Sequence, residues 1–175
     1  MQIGVISDTH GYLDEKVFEY FSTCDEIWHA GDIGDRIILD KLMRFKPMRA
    51  VYGNIDGMEL RAILDEEIIF EIEGLRVWLI HIAGYPSHYA PAVKKRIREI
   101  RPNLLVCGHS HILRVMPDKN LENFLYINPG AAGFQGFHKT RTLIRFSIID
   151  KLVGNMMEVI ELGPRWQGPV NAPGS

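Results

Sequence analysis

Cysteine is nearly absent from this 175-residue chain. Cys24 and Cys107 are too few for a disulfide framework and lack the paired spacing of a zinc ribbon. Cys107 closes the apolar run Leu104-Leu105-Val106-Cys107, which predicts a buried, inert thiol. Long hydrophobic runs are missing too. Val77 to Ala83, the most apolar stretch after the first strand, falls far short of the ~20 residues a membrane span needs. Neither charge dominates: 20 Lys and Arg against 22 Asp and Glu give a formal net charge of −2. That balance removes the global electrostatic case for a nucleic-acid binder. No basic region precedes the first apolar stretch, so no targeting segment is visible. The expectation is a soluble, cytoplasmic protein, with length for one domain and a substantial core.

Repeats, low-complexity tracts and linkers are also missing before the C-terminal residues. The first third alternates β-branched runs with helical spacing. Strands are predicted at Ile3–Ser7, Ile27–Ala30 and Ala50–Tyr52. A helix from Asp14 to Phe21 lies between the first two. A second, with Ile37, Ile38, Leu42 and Phe45 on one face, ends at Pro47. Such alternation predicts a parallel sheet with helical crossovers. Glu73-Gly74 between Ile68–Ile72 and Leu75–His81 predicts a hairpin. After a helix over Ala92–Ile100 come runs at Leu104–Cys107, Leu113–Met116, Phe124–Asn128, Thr142–Ile149 and Met156–Leu162. Their short connections favour antiparallel pairing. Two sheets face to face with helices outside accommodate both halves, as one domain over 1–162. The Gly- and Pro-rich residues 163–175 are expected to run extended over the surface.

Chemistry-bearing residues collect where these strands end. Asp8 and His10 follow the first strand, Asp32 the second and Asn54 the third. His81 ends the fifth apolar run, and Gly108-His109-Ser110-His111 follows Cys107. Open α/β sheets place ligand sites at the carboxyl ends of their strands, so residues remote in sequence could share one pocket. Singly, each signal has an ordinary structural account: a helix cap for Asp8, a turn for Gly31-Asp32, a core histidine for His81. His109 and His111 are sharper, because alternate residues of an extended segment share a face. Oxygen and imidazole donors from five strand ends suit a pair of divalent metals.

The pattern Asp8-Thr9-His10, Gly31-Asp32, Gly53-Asn54, His81 and Gly108-His109-Ser110-His111 resembles that of the calcineurin-like metallophosphoesterases. Ser7-Asp8-Thr9-His10-Gly11 and Ile127-Asn128-Pro129-Gly130 look like the small single-domain bacterial and archaeal phosphodiesterases. The resemblance implies a four-layer α/β/β/α sandwich of two mixed sheets. It also implies two divalent ions, of manganese, iron, nickel, cobalt or zinc. One would be held by Asp8, His10, Asp32 and His111. The second would be held by Asn54, His81 and His109, with Asp32 as the bridge. Catalytic roles are implied for Asp8, His10, Asp32, Asn54 and His109. A metal-bridging hydroxide would attack phosphorus. Asp8, Asp32 and that hydroxide set three negative charges against four positive, so the site stays cationic and attracts a small phosphoester.

Two positions depart from the pattern. Ile55 stands where many relatives carry a proton-donating histidine. Ile82 and Ala83 follow His81, delaying Gly84 by two residues. Asp56 and Asn128 are candidates for orienting the ligands from behind, each with a plain loop role as the alternative. His88 and His138 are read as surface histidines, with His88 the first candidate for a replacement acid, and His29 as structural. Lys94, Lys95, Arg96, Arg98 and Arg101 are read as a solvated helix face. Alternatives to the phosphodiesterase are a phosphomonoesterase or nucleotide phosphatase, and a protein-interaction scaffold on the same fold. Oligomeric state stays open, a homo-oligomer included.

Overall fold

The computed structural model describes residues 1–154 and 157–165. In chain order the first elements are β1 (Gln2–Ile6), α1 (Lys16–Tyr20), β2 (Glu26–His29), α2 (Arg36–Phe45), β3 (Met48–Ala50) and α3 (Met58–Arg61). A hairpin follows, β4 (Glu67–Ile72) and β5 (Leu75–Ile80), then α4 (Pro91–Ile100), β6 (Leu104–Val106), β7 (Leu113–Pro117) and β8 (Leu125–Pro129). The chain closes with β9 (Thr140–Ile149), β10 (Leu152–Val153) and β11 (Glu158–Pro164). One sheet has the order β10-β9-β1-β2-β3, with β11 also paired to β9. The other runs β4-β5-β6-β8-β7.

The period-2 alternation of strands makes the layers. Ile3 and Val5 join Trp28, Val77, Leu79, Leu104 and Val106 between the sheets. Their strand neighbours face outward. Ile6 and Ile27 pack with Val17, Ile38, Leu39 and Leu42 of α1 and α2. Trp78 and Leu105 pack with Val93, Ile97 and Ile100 of α4. The result is helix, sheet, sheet, helix, as expected. Asp35 starts α2 by accepting from the Ile37 N–H at 2.8 Å, and Pro47 stops it. Glu73 and Gly74 turn the β4–β5 hairpin at φ 48° and 76°, which suits the right-handed twist of the strands.

Three differences from the expectation have local causes. β3 lies two residues earlier than Ala50–Tyr52, because its register with β2 pairs Met48 with Ile27. α3 was not anticipated; four residues are too few to show a helical period. The second half is also not uniformly antiparallel. β5 pairs parallel with β6, and β6 parallel with β8. α4 supplies one crossover, and β7 lies outside β8 rather than between β6 and β8. At the C-terminus Gly163 and Pro164 still pair with β9. Residues 166–175 of the expected surface tail, and Met156 at the start of the expected last strand, lie outside the described residues. Among the described residues no helix is long and apolar enough to cross a membrane.

Arg141 is a charged residue that hydropathy alone leaves unremarked. It is 1% exposed, pairs with Asp14 at 2.9 Å and donates to the Leu162 carbonyl at 2.9 Å. Its guanidinium also lies 4.4 Å from the centre of the Phe134 ring. Breaking a buried pair leaves its partner uncompensated. Arg141→Leu should therefore cost about 3 kcal/mol or more in urea denaturation. A loss within ~0.5 kcal/mol, the range of ordinary surface changes, would mean that Asp14 finds water instead.

Candidate metal centre

The loops after β1 and β2 stay paired beyond the strands. Asp8 N–H donates to Gly31 O at 3.0 Å, His10 N–H to Asp32 O at 3.0 Å and Gly11 N–H to Ile33 O at 2.8 Å. This ladder sets the Asp8 and Asp32 carboxyls side by side, 0% and 2% exposed. Asp8, His10, Asp32, His109 and His111 all adopt the left-handed conformation, with φ of 54°, 48°, 54°, 67° and 58°. Asp and His tolerate that region better than most residues. Its concentration here marks loops held against local preference.

Two donor sets result. Asp8, His10 and His111 form one; Asp32, His81 and His109 form the other. In the first, His111 Nε2 is 3.2 Å from Asp8 Oδ1 and 3.2 Å from His10 Nε2. In the second, His81 Nε2 is 3.2 Å from Asp32 Oδ1. Asn54 Oδ1 joins it, 3.1 Å from His81 Nε2 and 2.9 Å from His109 Nδ1. Asp32 lies between the sets: Oδ1 faces His81, while Oδ2 is 3.8 Å from His10 Nε2. All seven expected donors are thus brought together. Imidazole nitrogens this close to one another and to carboxylates form a donor set that a cation would satisfy.

Despite the altered loop after it, His81 sits squarely in the second set. The Ala30 carbonyl, which can only accept, receives a hydrogen bond from Nδ1–H at 2.7 Å and so turns Nε2 toward Asp32 and Asn54. Burial pulls the His81 pKa down, but the hydrogen bond to Asp32 and the Asp8 and Asp32 charges outweigh it and hold it above the ordinary value. Burial pushes Asp32 up, yet the His81 bond and charge, with the Ile55 N–H at 3.1 Å, leave it below the usual carboxylate range. Burial lowers His10 and His109, against the pull of the two carboxylates.

Other expected residues support the centre from behind. Asp56 is 3% exposed and accepts three backbone N–H groups, from Gly53 at 2.8 Å, Ile33 at 3.2 Å and Gly34 at 2.7 Å. It thereby ties the Asp32 loop to the Asn54 loop. Asn128 is fully buried and donates to Gly108 O at 2.7 Å and to Ser110 Oγ at 3.1 Å. Its part is to shape the His109–His111 loop. Gly108 is required there, since a Cβ would collide with Ser7 Oγ and Asp8 Oδ2. His88 stacks on Tyr85 at 4.5 Å, whereas His138 lies against His111, rings 5.3 Å apart. Lys94, Lys95, Arg98 and Arg101 are exposed, and Arg96 pairs with Glu67. Both thiols are buried, and burial pushes Cys24 up to about 11 and Cys107 up to about 12. Arg61 was missed. It donates to the Asp56, Gly53 and Asn54 carbonyls at 2.6, 2.9 and 3.3 Å. A single arginine on a one-turn helix carries no sequence signal of such a role.

A family model described as the calcineurin-like phosphoesterase superfamily domain matches residues 1–151. A probable metallophosphoesterase of Methanothermobacter thermautotrophicus is 35% identical over 139 residues, covering 75% of this chain and 77% of that protein. A phosphodiesterase of Methanocaldococcus jannaschii is 27% identical over 146 residues, 74% of this chain and 83% of that one. Among solved structures, an archaeal phosphodiesterase superposes with a TM-score of 0.73 at 24% identity, covering 93% of this chain and 100% of that chain. Zinc-bound Vps29 of Entamoeba histolytica gives a TM-score of 0.69 at 18% identity, covering 93% and 99%.

His29 lies fully buried beneath the site. The Gly31 N–H donates to its Nδ1 at 3.2 Å, so Nε2 carries the proton and donates to Thr9 Oγ1 at 3.0 Å. The Thr9 hydroxyl in turn donates to Ile33 O at 3.0 Å. Burial pulls the His29 pKa down to about 4, and a proton on Nδ1 would break the Gly31 bond. The neutral ring therefore contributes stability that is complete above pH ~6.5, the unfolded pKa, and is lost as pH falls toward 4. His29→Gln should reduce the stability difference between pH 7 and about 4.5 by roughly 2 kcal/mol. Urea titrations of the metal-free protein check this, and equal slopes in both proteins would refute it.

Proposed function

The chain belongs to the calcineurin-like phosphoesterase superfamily, and on that premise we propose that it is a phosphodiesterase working with two divalent cations. Asp8, His10, Asp32 and His111 would hold one, and Asp32, Asn54, His81 and His109 the other. The observation that carries this reading is Asp32, whose two carboxylate oxygens face opposite imidazole sets. Bound cations would supply positive charge at the phosphoryl oxygens and lower the pKa of the attacking water. Mixed nitrogen and oxygen donors without thiolate suit manganese, iron, nickel, cobalt or zinc.

The chain's own groups set the geometry. The Ala30 carbonyl keeps the His81 Nε2 lone pair aimed inward. The His109 N–H donates to both Asp8 oxygens, at 3.3 and 3.2 Å, and orients that carboxylate. Asp56 and Arg61 hold the loop that presents Asn54. With only Asp8 and Asp32 negative among the seven donors, a doubly loaded site keeps net positive charge and draws in a phosphoester anion. The intact donor set favours a hydrolase over a scaffold. The phosphodiesterase reading over a phosphomonoesterase draws on the sequence relative and the structural neighbour that are phosphodiesterases.

Ile55 brings no transferable proton. Its N–H is engaged by Asp32, and its side chain is 46% exposed. Departure of the alcohol must then depend on its own acidity and on the cations.

Titration with manganese, followed by calorimetry, should reach about two ions per chain. Asp32→Asn should weaken both sites and abolish turnover, since one residue serves both. Near-normal ion content and rate in that variant would remove the bridging role, and no tight site in the native protein would favour the scaffold. Independently, rates for aryl diesters such as bis-p-nitrophenyl phosphate should fall steeply as the leaving-group pKa rises, and Ile55→His should flatten that slope. A flat slope in the native enzyme, with chemistry rate-limiting, would reveal another acid, with His88 the first to test.

A further inference from the structure

A cleft of about 140 Å³ opens beside the second donor set, and Asn54 and His81 are among its lining residues. A phosphoester held at the centre would extend one substituent into it. Tyr52, Arg61, Glu66 and Ile82 also line it. Ile82 is 47% exposed and offers apolar surface. The Arg61 guanidinium stacks over the Tyr52 ring at 4.4 Å, adding a flat platform.

The polar groups are specific. The Arg61 bonds to the loop carbonyls use Nε and Nη2. Its Nη1 has no partner among the described residues. Glu66 accepts from the Tyr52 hydroxyl through Oε2 at 3.4 Å, and its Oε1 is likewise without a partner among the described residues. These opposite charges share one cleft without forming an ion pair within 4.0 Å of each other. A ligand placed between them can donate a hydrogen bond to Glu66 and accept one from Arg61.

We propose that this cleft is a subsite for a planar ester substituent carrying both a hydrogen-bond donor and an acceptor, which makes nucleoside phosphodiesters the substrate class. The proposal rests on the phosphodiesterase reading above. An alkyl substituent would strip water from Glu66 and Arg61 without replacing its hydrogen bonds. A polyanionic one would meet Arg61 but be repelled by Glu66. A nucleobase satisfies both groups and lays its ring on the Tyr52, Arg61 and Ile82 surfaces.

The test compares two phosphate probes on the manganese-loaded protein by calorimetry: thymidine 5′-monophosphate and methyl phosphate. They share the anchoring group and differ only in the substituent. The nucleotide should bind about tenfold tighter or better, the gain of one charge-assisted bond with partial ring burial. Glu66→Leu, at an exposed position that threatens no core, should reduce that ratio several-fold, and Tyr52→Ala should do the same by removing the platform. Equal affinities in the native protein would overturn the subsite, as would a ratio that neither variant changes. Failure of both probes to bind would instead overturn the metal-centre reading, and the subsite with it.

Discussion

One buried carboxylate organises this molecule. Asp32 turns its two oxygens toward imidazoles that reach it from different loops, His10 on one side and His81 on the other. A carboxylate with so little exposure must be paired or bonded to remain ionised. Here the bond to His81 and the Ile55 N–H do this within the protein. Everything at the C-terminal ends of the strands serves that convergence. The parallel strands β1, β2 and β3 deliver Asp8, Asp32 and Asn54 on one sheet, and β5 and β6 deliver His81 and His109 on the other.

Holding the loops in place has an energetic cost. Five of the donors sit in left-handed backbone, each on the order of 1–3 kcal/mol above a relaxed conformation where the surroundings do not enforce it. The offsetting interactions are local and numerous. The ladder between the Asp8 and Asp32 loops supplies three backbone bonds, and Asp56 accepts three more. Asn128 secures the His109–His111 loop. His29 and Thr9 close the floor without a free donor or acceptor. The candidate metal centre therefore rests on a shell of side chains and loops already hydrogen-bonded to one another.

The chemistry this shell supports is shaped by two neighbours of the donors. On the proposed reading, Ile55 leaves the position after Asn54 without a side-chain acid, so that leaving-group departure would fall to the cations and the alcohol itself. The cleft bounded by Arg61 and Glu66 gives the same loop a second purpose. The guanidinium that pins the Gly53 and Asn54 carbonyls also presents its remaining N–H groups beside the site. Positioning of a donor and recognition of a substituent then share one residue.

The residues themselves determined the donor set, because Asp8, His10, Asp32, Asn54, His81, His109 and His111 all fall just past apolar strand runs, and period-2 and helical spacings made those runs legible. The layered fold followed from the same alternation, the Glu73-Gly74 turn from its position between two such runs, and the burial of Cys107 from its place in one. Pairing direction did not follow: β5 and β6 are parallel because α4 makes the crossover between them, and β6 and β8 because β7 lies outside β8, and strand periodicity carries no sign of orientation. Nor could spacing reveal the Arg141–Asp14 pair, the three-way grip of Asp56, or Arg61 on a one-turn helix. The Arg61 bonds stay within residues 53–61 and depend on a loop path that spacing does not encode. The Arg141–Asp14 pair and the Asp56 bonds to Ile33 and Gly34 join segments remote along the chain, so only tertiary packing could decide them.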